Sequence, residues 1–182
     1  MKKIKKILKI TLMILGAIIA LAIIFVGVLT ATEYRPKDSE SLDIIGGNSV
    51  GHTCSPSIGD NLSVVTWNLG YGSLGANADF FMDGGEGVRP SDAETVRQNM
   101  LGIEDLIRGA DADFVMLQEV DTDSKRSYGY DQWRQYEFDL ENYESRFALN
   151  YSCNYVPYPV TEPIGRVPSG VATYSRYDIT AA

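Results

Sequence analysis

Val64-Val65-Thr66-Trp67-Asn68-Leu69-Gly70 and Asp113-Phe114-Val115-Met116-Leu117-Gln118-Glu119-Val120-Asp121 are the two stretches whose reading decides the fold. Each is a short apolar run bounded by turn-forming residues, the pattern of a buried strand. The first predicts a strand over 62–69, with Asp60-Asn61 before it and Gly70-Tyr71-Gly72 after it. The second predicts a strand over 113–118. Each run ends on an oxygen-bearing side chain, Asn68 in one and Glu119 in the other. A rigid sheet places such groups more accurately than a loop does, so strand ends of this kind build active sites.

The segment between them links the strands. Ser91-Asp92-Ala93-Glu94 reads as a capping box and predicts a helix to about Arg108, with Gly109 as its stop. Val96, Met100, Ile103 and Ile107 recur at helical spacing and form one apolar stripe. Strand, helix and strand together predict a right-handed crossover joining adjacent parallel strands. Asn68 and Glu119 are 51 positions apart, more than the roughly 30 residues such a unit needs. Residues 73–90 supply the excess. This stretch carries Gly75, Gly84, Gly85 and Gly87 around Phe80-Phe81-Met82, and two adjacent phenylalanines predict an ordered loop that shapes a substrate entrance. Further on, the pattern predicts a polar loop over 121–129 and a second helix over 131–140. A strand over 147–151, an irregular proline-rich stretch over 155–168 and a last strand over 170–175 complete it.

The N-terminal 29 residues do not fit a globular core. Residues 1–9 hold five lysines and no acid. Residues 10–29 then run for twenty positions with Thr11 as the only polar side chain, long enough to cross the hydrocarbon layer at about 1.5 Å per residue. A cleaved signal peptide is the competing reading. Its apolar core is usually about 7–15 residues long, and Leu29-Thr30-Ala31 is a poor cleavage site. The lysine bias predicts a single-pass anchor in the cell membrane, with a cytoplasmic basic tail and everything after residue 30 outside. Residues 30–61 read as an extracytoplasmic linker rich in glycine and proline, with the single histidine, His52, inside it.

Charge narrows the partners. Residues 10–182 carry eleven basic and twenty-four acidic side chains, a net charge of −13. That field is opposite to the one duplex binding by phosphate neutralisation requires. The two cysteines, Cys54 and Cys153, show no metal-site spacing, and an external disulfide between them is allowed but not indicated. No protein partner is signalled.

A carboxylate and a carboxamide at neighbouring strand ends form a hard-oxygen pocket suited to Mg²⁺, which takes few protein ligands and keeps waters and phosphate oxygens. The same residues also admit a structural reading, with Asn68 capping a turn and Glu119 paired to an arginine. Thr66-Trp67-Asn68 followed by Gln118-Glu119-Val120 resembles the endonuclease/exonuclease/phosphatase (deoxyribonuclease-like) superfamily. Two further segments agree: Lys125-Arg126-Ser127 with Asp131-Gln132, and Ser169-Gly170-Val171-Ala172-Thr173-Tyr174-Ser175-Arg176-Tyr177. Tyr71-Gly72 and Phe80-Phe81-Met82-Asp83-Gly84-Gly85 are similar to a membrane-anchored bacterial subgroup.

The resemblance implies an α/β fold, the N-terminal half of a four-layer sandwich of two packed mixed sheets flanked by helices, over residues 62–182. It implies Asn68 and Glu119 as catalytic residues and ligands of Mg²⁺ (or Mn²⁺), and Arg126 as a contact for substrate phosphate. The activity implied is phosphoester hydrolysis, on nucleic acid, phospholipid headgroups or inositol phosphates. A non-catalytic surface binding module on the same scaffold is the alternative.

In this superfamily an aspartate-x-asparagine segment and a terminal aspartate–histidine pair activate water. After Ser175 this chain offers only Asp178 and no histidine, whereas general acid–base catalysis needs a titratable group within reach of the water. The expectation is half a domain, inactive alone and prone to aggregate through an uncovered sheet face. Mg²⁺-dependent hydrolysis of a generic phosphodiester by these 182 residues would overturn it.

Overall fold

Alternation along the two signature strands is what seats them in the fold. In the computed structural model, which describes residues 2–42, 45–46, 55–140 and 142–180, strand β1 is Ile45–Gly46 and β2 is Val64–Asn68. They are followed by β3 (Phe114–Asp121), β4 (Glu144–Val156) and β5 (Gly165–Ser175). Helices are α1 (Lys2–Ala31), α2 (Ala93–Ala110) and α3 (Gln132–Asp139). The five strands form one mixed sheet in the order β1-β4-β5-β3-β2. β2 and β3 are adjacent and parallel, with Asn68 opposite Gln118, as the strand–helix–strand pattern requires. The other pairs are antiparallel.

One face of the sheet is covered by α2 and α3; among the described residues no helix covers the other. Val115, Leu117, Ala172 and Tyr174 are buried and pack with Ile103 and Ile107 of α2 and Tyr136 of α3. Their strand neighbours face the other way, and Val64 and Met116 are 54% and 41% exposed. A sheet with helices on one face and apolar side chains on the other is a partial α/β sandwich.

Helix α2 buries Val96, Met100, Ile103 and Ile107, the expected stripe; each such side chain contributes about 1.5–3 kcal/mol on burial. Its ends differ in detail from the sequence reading. The N-cap is Asp92, whose carboxylate accepts from the Thr95 N–H at 2.8 Å. Glu94 does not complete a capping box; it pairs with Arg97 and Gln98. The helix continues past Gly109 and stops where Asp111 turns left-handed, at φ 48°.

Strands β4 and β5 are longer than composition suggests, and β5 runs through Pro168. The proline is tolerated because its partner toward β3 has already ended, at Asp121 opposite Ser169. Its carbonyl still accepts from the Thr122 N–H and the Ser124 hydroxyl. Gly170 is set by crowding: a Cβ there would lie 2.2 Å from the Ala148 carbonyl oxygen. Part of the 30–61 stretch also joins the sheet, since Ile45 and Gly46 pair with Ser145 and Glu144 on the outer edge of β4. An edge strand with open hydrogen-bonding groups favours such a partner. His52, Cys54 and hence the pairing of Cys54 with Cys153 lie outside the described residues; Cys153 itself is half-buried on β4.

The chain divides into two units, Met1–Glu33 and Tyr34–Ala182. The first is α1, a helix long and apolar enough to cross a membrane, none of whose residues is buried against protein. It includes the lysine-bearing turns as well as the apolar run.

Tyr136 is buried in the core, yet its hydroxyl has no hydrogen-bond partner among the described residues, and burial pushes its pKa well up. An unsatisfied buried donor costs about 1–3 kcal/mol. Tyr136→Phe should therefore raise stability by about 1 kcal/mol in urea unfolding, and a variant less stable than the parent would show that the hydroxyl does have a partner.

Candidate active site

Asn68 and Glu119 line one cleft. Its volume is about 740 Å³, and its other walls include Tyr71, Phe80, Met82, Asn99 and Leu106. Register explains the meeting: Asn68 pairs with Gln118, so Glu119 follows directly across the β2–β3 ladder.

Each of the two is held in a particular way. Asn68 accepts the Gly70 N–H on Oδ1 at 2.9 Å, so it does cap the turn that follows β2. A carbonyl oxygen has two lone pairs, and the second remains for a cation or a water. Glu119 sits where the β3–β5 register shifts between Leu117 and Val120, at φ 55°. A bulge re-aims one side chain, and a left-handed glutamate costs of order 1–3 kcal/mol. Such strain persists only where the surroundings enforce it.

The enforcing contacts come from one buried carboxylate. Asp121, 0% exposed, receives Arg126 through two hydrogen bonds of 3.0 and 2.9 Å and the Ser127 hydroxyl at 3.1 Å. Its own N–H donates to Oε1 of buried Gln132 at 2.9 Å, and Gln132 Nε2 donates to the Tyr71 carbonyl. The Arg126-Ser127 and Asp131-Gln132 segments therefore brace the end of β3. Asp131 serves as the N-cap of α3, accepting from Arg134.

Arg126 was singled out in the sequence as a phosphate contact. Its guanidinium edge is occupied by Asp121, its side chain is 13% exposed, and its face lies 3.3 Å from the centroid of the Tyr71 ring. What it offers the cleft directly is the support of that ring.

Tyr71 is the site residue the sequence pattern passed over. Gly70, Tyr71 and Gly72 all have positive φ, at 51°, 56° and 65°. Three consecutive left-handed residues are disfavoured for L-amino acids, and flanking glycines make the turn affordable. Asn99 donates to the Gly72 carbonyl at 2.9 Å, and Ser73 donates to the Arg126 carbonyl at 3.1 Å. The hydroxyl of Tyr71 faces Glu119. Burial raises its pKa first; the Arg126 charge lowers it, and Glu119 raises it by charge and by hydrogen bonding. Tyr71 thus stays protonated and can donate to the carboxylate. Two signals pointed at this position, the Gly-Tyr-Gly spacing and the Tyr71-Gly72 resemblance, and without the fold neither says more than a turn.

The donor set fits a hard divalent cation as part of its shell. It comprises one carboxylate and one carboxamide oxygen at a cleft mouth, leaving the balance to water and phosphate. Among the described residues no group of three or more His, Cys, Asp or Glu side chains is arranged to hold a metal.

Removing one partner of a buried pair leaves the other uncompensated, at a cost of about 3–5 kcal/mol. Asp121→Asn should lower unfolding stability by about 3 kcal/mol, whereas Asp123→Asn on the exposed Arg166 pair should change it by less than about 0.5 kcal/mol. Equal effects of the two would show that Asp121 braces nothing.

No curated protein and no solved structure matches the chain. The model of the Endonuclease/Exonuclease/phosphatase family matches residues 65–182, a span that contains β2 from Val65 on, the brace and the whole cleft. Members of that family are generally hydrolases acting on phosphoesters, and typically use divalent metals. The chain belongs to the endonuclease/exonuclease/phosphatase family.

Proposed function

We propose that the chain carries the metal-holding part of a membrane-anchored, outward-facing, Mg²⁺-dependent phosphoester hydrolase. The observation that carries this reading is the shared cleft of Asn68 and Glu119, with Glu119 kept in a left-handed conformation at a bulge. Strain of this kind clusters at ligand clamps and catalytic centres. A glutamate needed only for solubility would not be braced by a buried ion pair two residues away.

In this reading Glu119 and the remaining lone pair of Asn68 Oδ1 hold Mg²⁺, with Mn²⁺ as a substitute. The bound ion would polarise the phosphoryl group of the substrate. Tyr71 keeps the Glu119 carboxylate oriented by donating to it. Arg126 acts through Tyr71 and Asp121, positioning the ring and the strand end. The substrate is a phosphoester of nucleic acid, phospholipid or inositol phosphate type, with duplex DNA disfavoured by the net charge of −13 beyond residue 9. Helix α1 serves as the single-pass anchor, its lysines on the cytoplasmic side.

Mn²⁺ binding tests the reading directly, because free aqueous Mn²⁺ gives a spin-resonance signal that falls as the ion binds, whether or not turnover occurs. The parent chain should bind Mn²⁺ in competition with Mg²⁺. Glu119→Gln should weaken binding at least tenfold, a loss of about 1.4 kcal/mol. Unchanged binding would remove Glu119 from the ligand set. Screening with Mg²⁺ against DNA, RNA, sphingomyelin and phosphoinositides would then sort the substrate classes.

A further inference from the structure

Two loop tips meet beside the cleft and expose apolar side chains together. Met82 is 73%, Tyr158 59% and Val160 83% exposed. The Phe81 ring packs edge-on against Tyr158 at 5.6 Å and against Phe80 at 5.0 Å, so the tips form one patch. The first tip is held out by its own backbone: Phe81 N–H to Gly87 at 2.9 Å, Gly85 N–H to Phe80 at 3.0 Å and Gly87 N–H to Asp79 at 2.7 Å. Gly84 closes the turn with φ 93°. Singly exposed apolar residues need no explanation, but a contiguous patch built on an ordered loop marks an interaction surface. Phe80 and Met82 also line the cleft that holds Asn68 and Glu119, so the patch forms part of its rim.

We propose that Phe81, Met82, Tyr158 and Val160 form a lipid-docking patch that enters the interfacial layer of a zwitterionic bilayer at the cleft mouth. This rests on the membrane-anchored reading above. Three observations favour a bilayer as the occupant. The same chain carries a helix long and apolar enough to cross one, and tethering raises the local concentration of lipid around the patch. Aromatic rings with a polar tip, next to flexible aliphatic groups, suit the headgroup–acyl boundary. Asp83, Glu86 and Glu162 lie in the same two loops, and the chain beyond residue 9 carries −13, which repels an anionic surface. Docking is therefore apolar, and the phosphoester that meets the cleft lies in the headgroup plane.

The test uses the full chain, with Cys54→Ser and Cys153→Ser, reconstituted in phosphatidylcholine vesicles. Nitroxide labels go on Met82→Cys or Val160→Cys, with Asp105→Cys on the exposed side of α2 as the control. Labels at 82 and 160 should gain collisions with oxygen and lose collisions with a water-soluble nickel chelate, relative to the control. The pattern should survive 1 M NaCl, where screening acts over about 3 Å. Labels as wet as the control would overturn the proposal. So would loss of the pattern in salt, or spin–spin broadening showing that a second copy covers the patch. Mn²⁺ binding on the same samples separates the two readings: wet labels with intact binding refute the patch alone, and dry labels without binding refute the metal site alone.

Discussion

The carboxylate of Asp121 is the constraint on which the candidate site depends. A fully buried charge is tolerable only when it is paired and hydrogen-bonded, and here Arg126 and Ser127 meet that need. The bonds pull the loop after β3 back under the strand, so that the chain cannot leave the sheet in a relaxed way. Glu119, two residues earlier, absorbs the distortion as a bulge and a positive φ. Gln132 fastens the same strand end to the Tyr71 turn. Gln132 thereby couples the end of β3 to the turn that follows β2, beside the two residues proposed as ligands.

Stiffness of this kind has a chemical use. On the reading proposed for Glu119, a carboxylate that takes a divalent cation must not swing away to a surface cation, and its backbone must not relax. The left-handed Gly70-Tyr71-Gly72 turn brings a hydroxyl near Glu119, while the Asp121 brace holds the strand two residues on. The cleft wall opposite is built from α2 and the 73–90 loop, and Asn99 and Ser73 tie both elements to the Tyr71 turn and the Arg126 loop.

Much of this was legible from residues alone. The stripe of α2 at positions 96, 100, 103 and 107 and the parallel pairing of β2 with β3 followed from periodicity, because burial of one face is a local, repeating demand. The loop around Phe80 and Phe81 was correctly expected to be ordered, although it half-buries its rings and leaves Met82 in solvent. Helix ends and strand lengths were less legible. Gly109 looked like a stop, but helix termination followed the geometry at Asp111; Pro168 looked like a break, but the neighbouring strand had already ended there. Both outcomes depend on partners distant in sequence. Arg126 shows the same limit, since an arginine in a polar loop gives no local sign that a buried aspartate five residues earlier will occupy it.

By itself the sequence determined the class of fold, the apolar N-terminal helix and the family, and singled out Asn68 and Glu119 as candidates, because each is written in local patterns of hydrophobicity and short motifs. Only the tertiary structure decided that these two residues share a cleft, that Glu119 is held in a left-handed bulge, and that Tyr71 belongs beside it. The reason is physical. Strain and buried charge are properties of a closed set of contacts among Tyr71, Asp121, Arg126 and Gln132, and no stretch of the chain contains that set until the strands have paired.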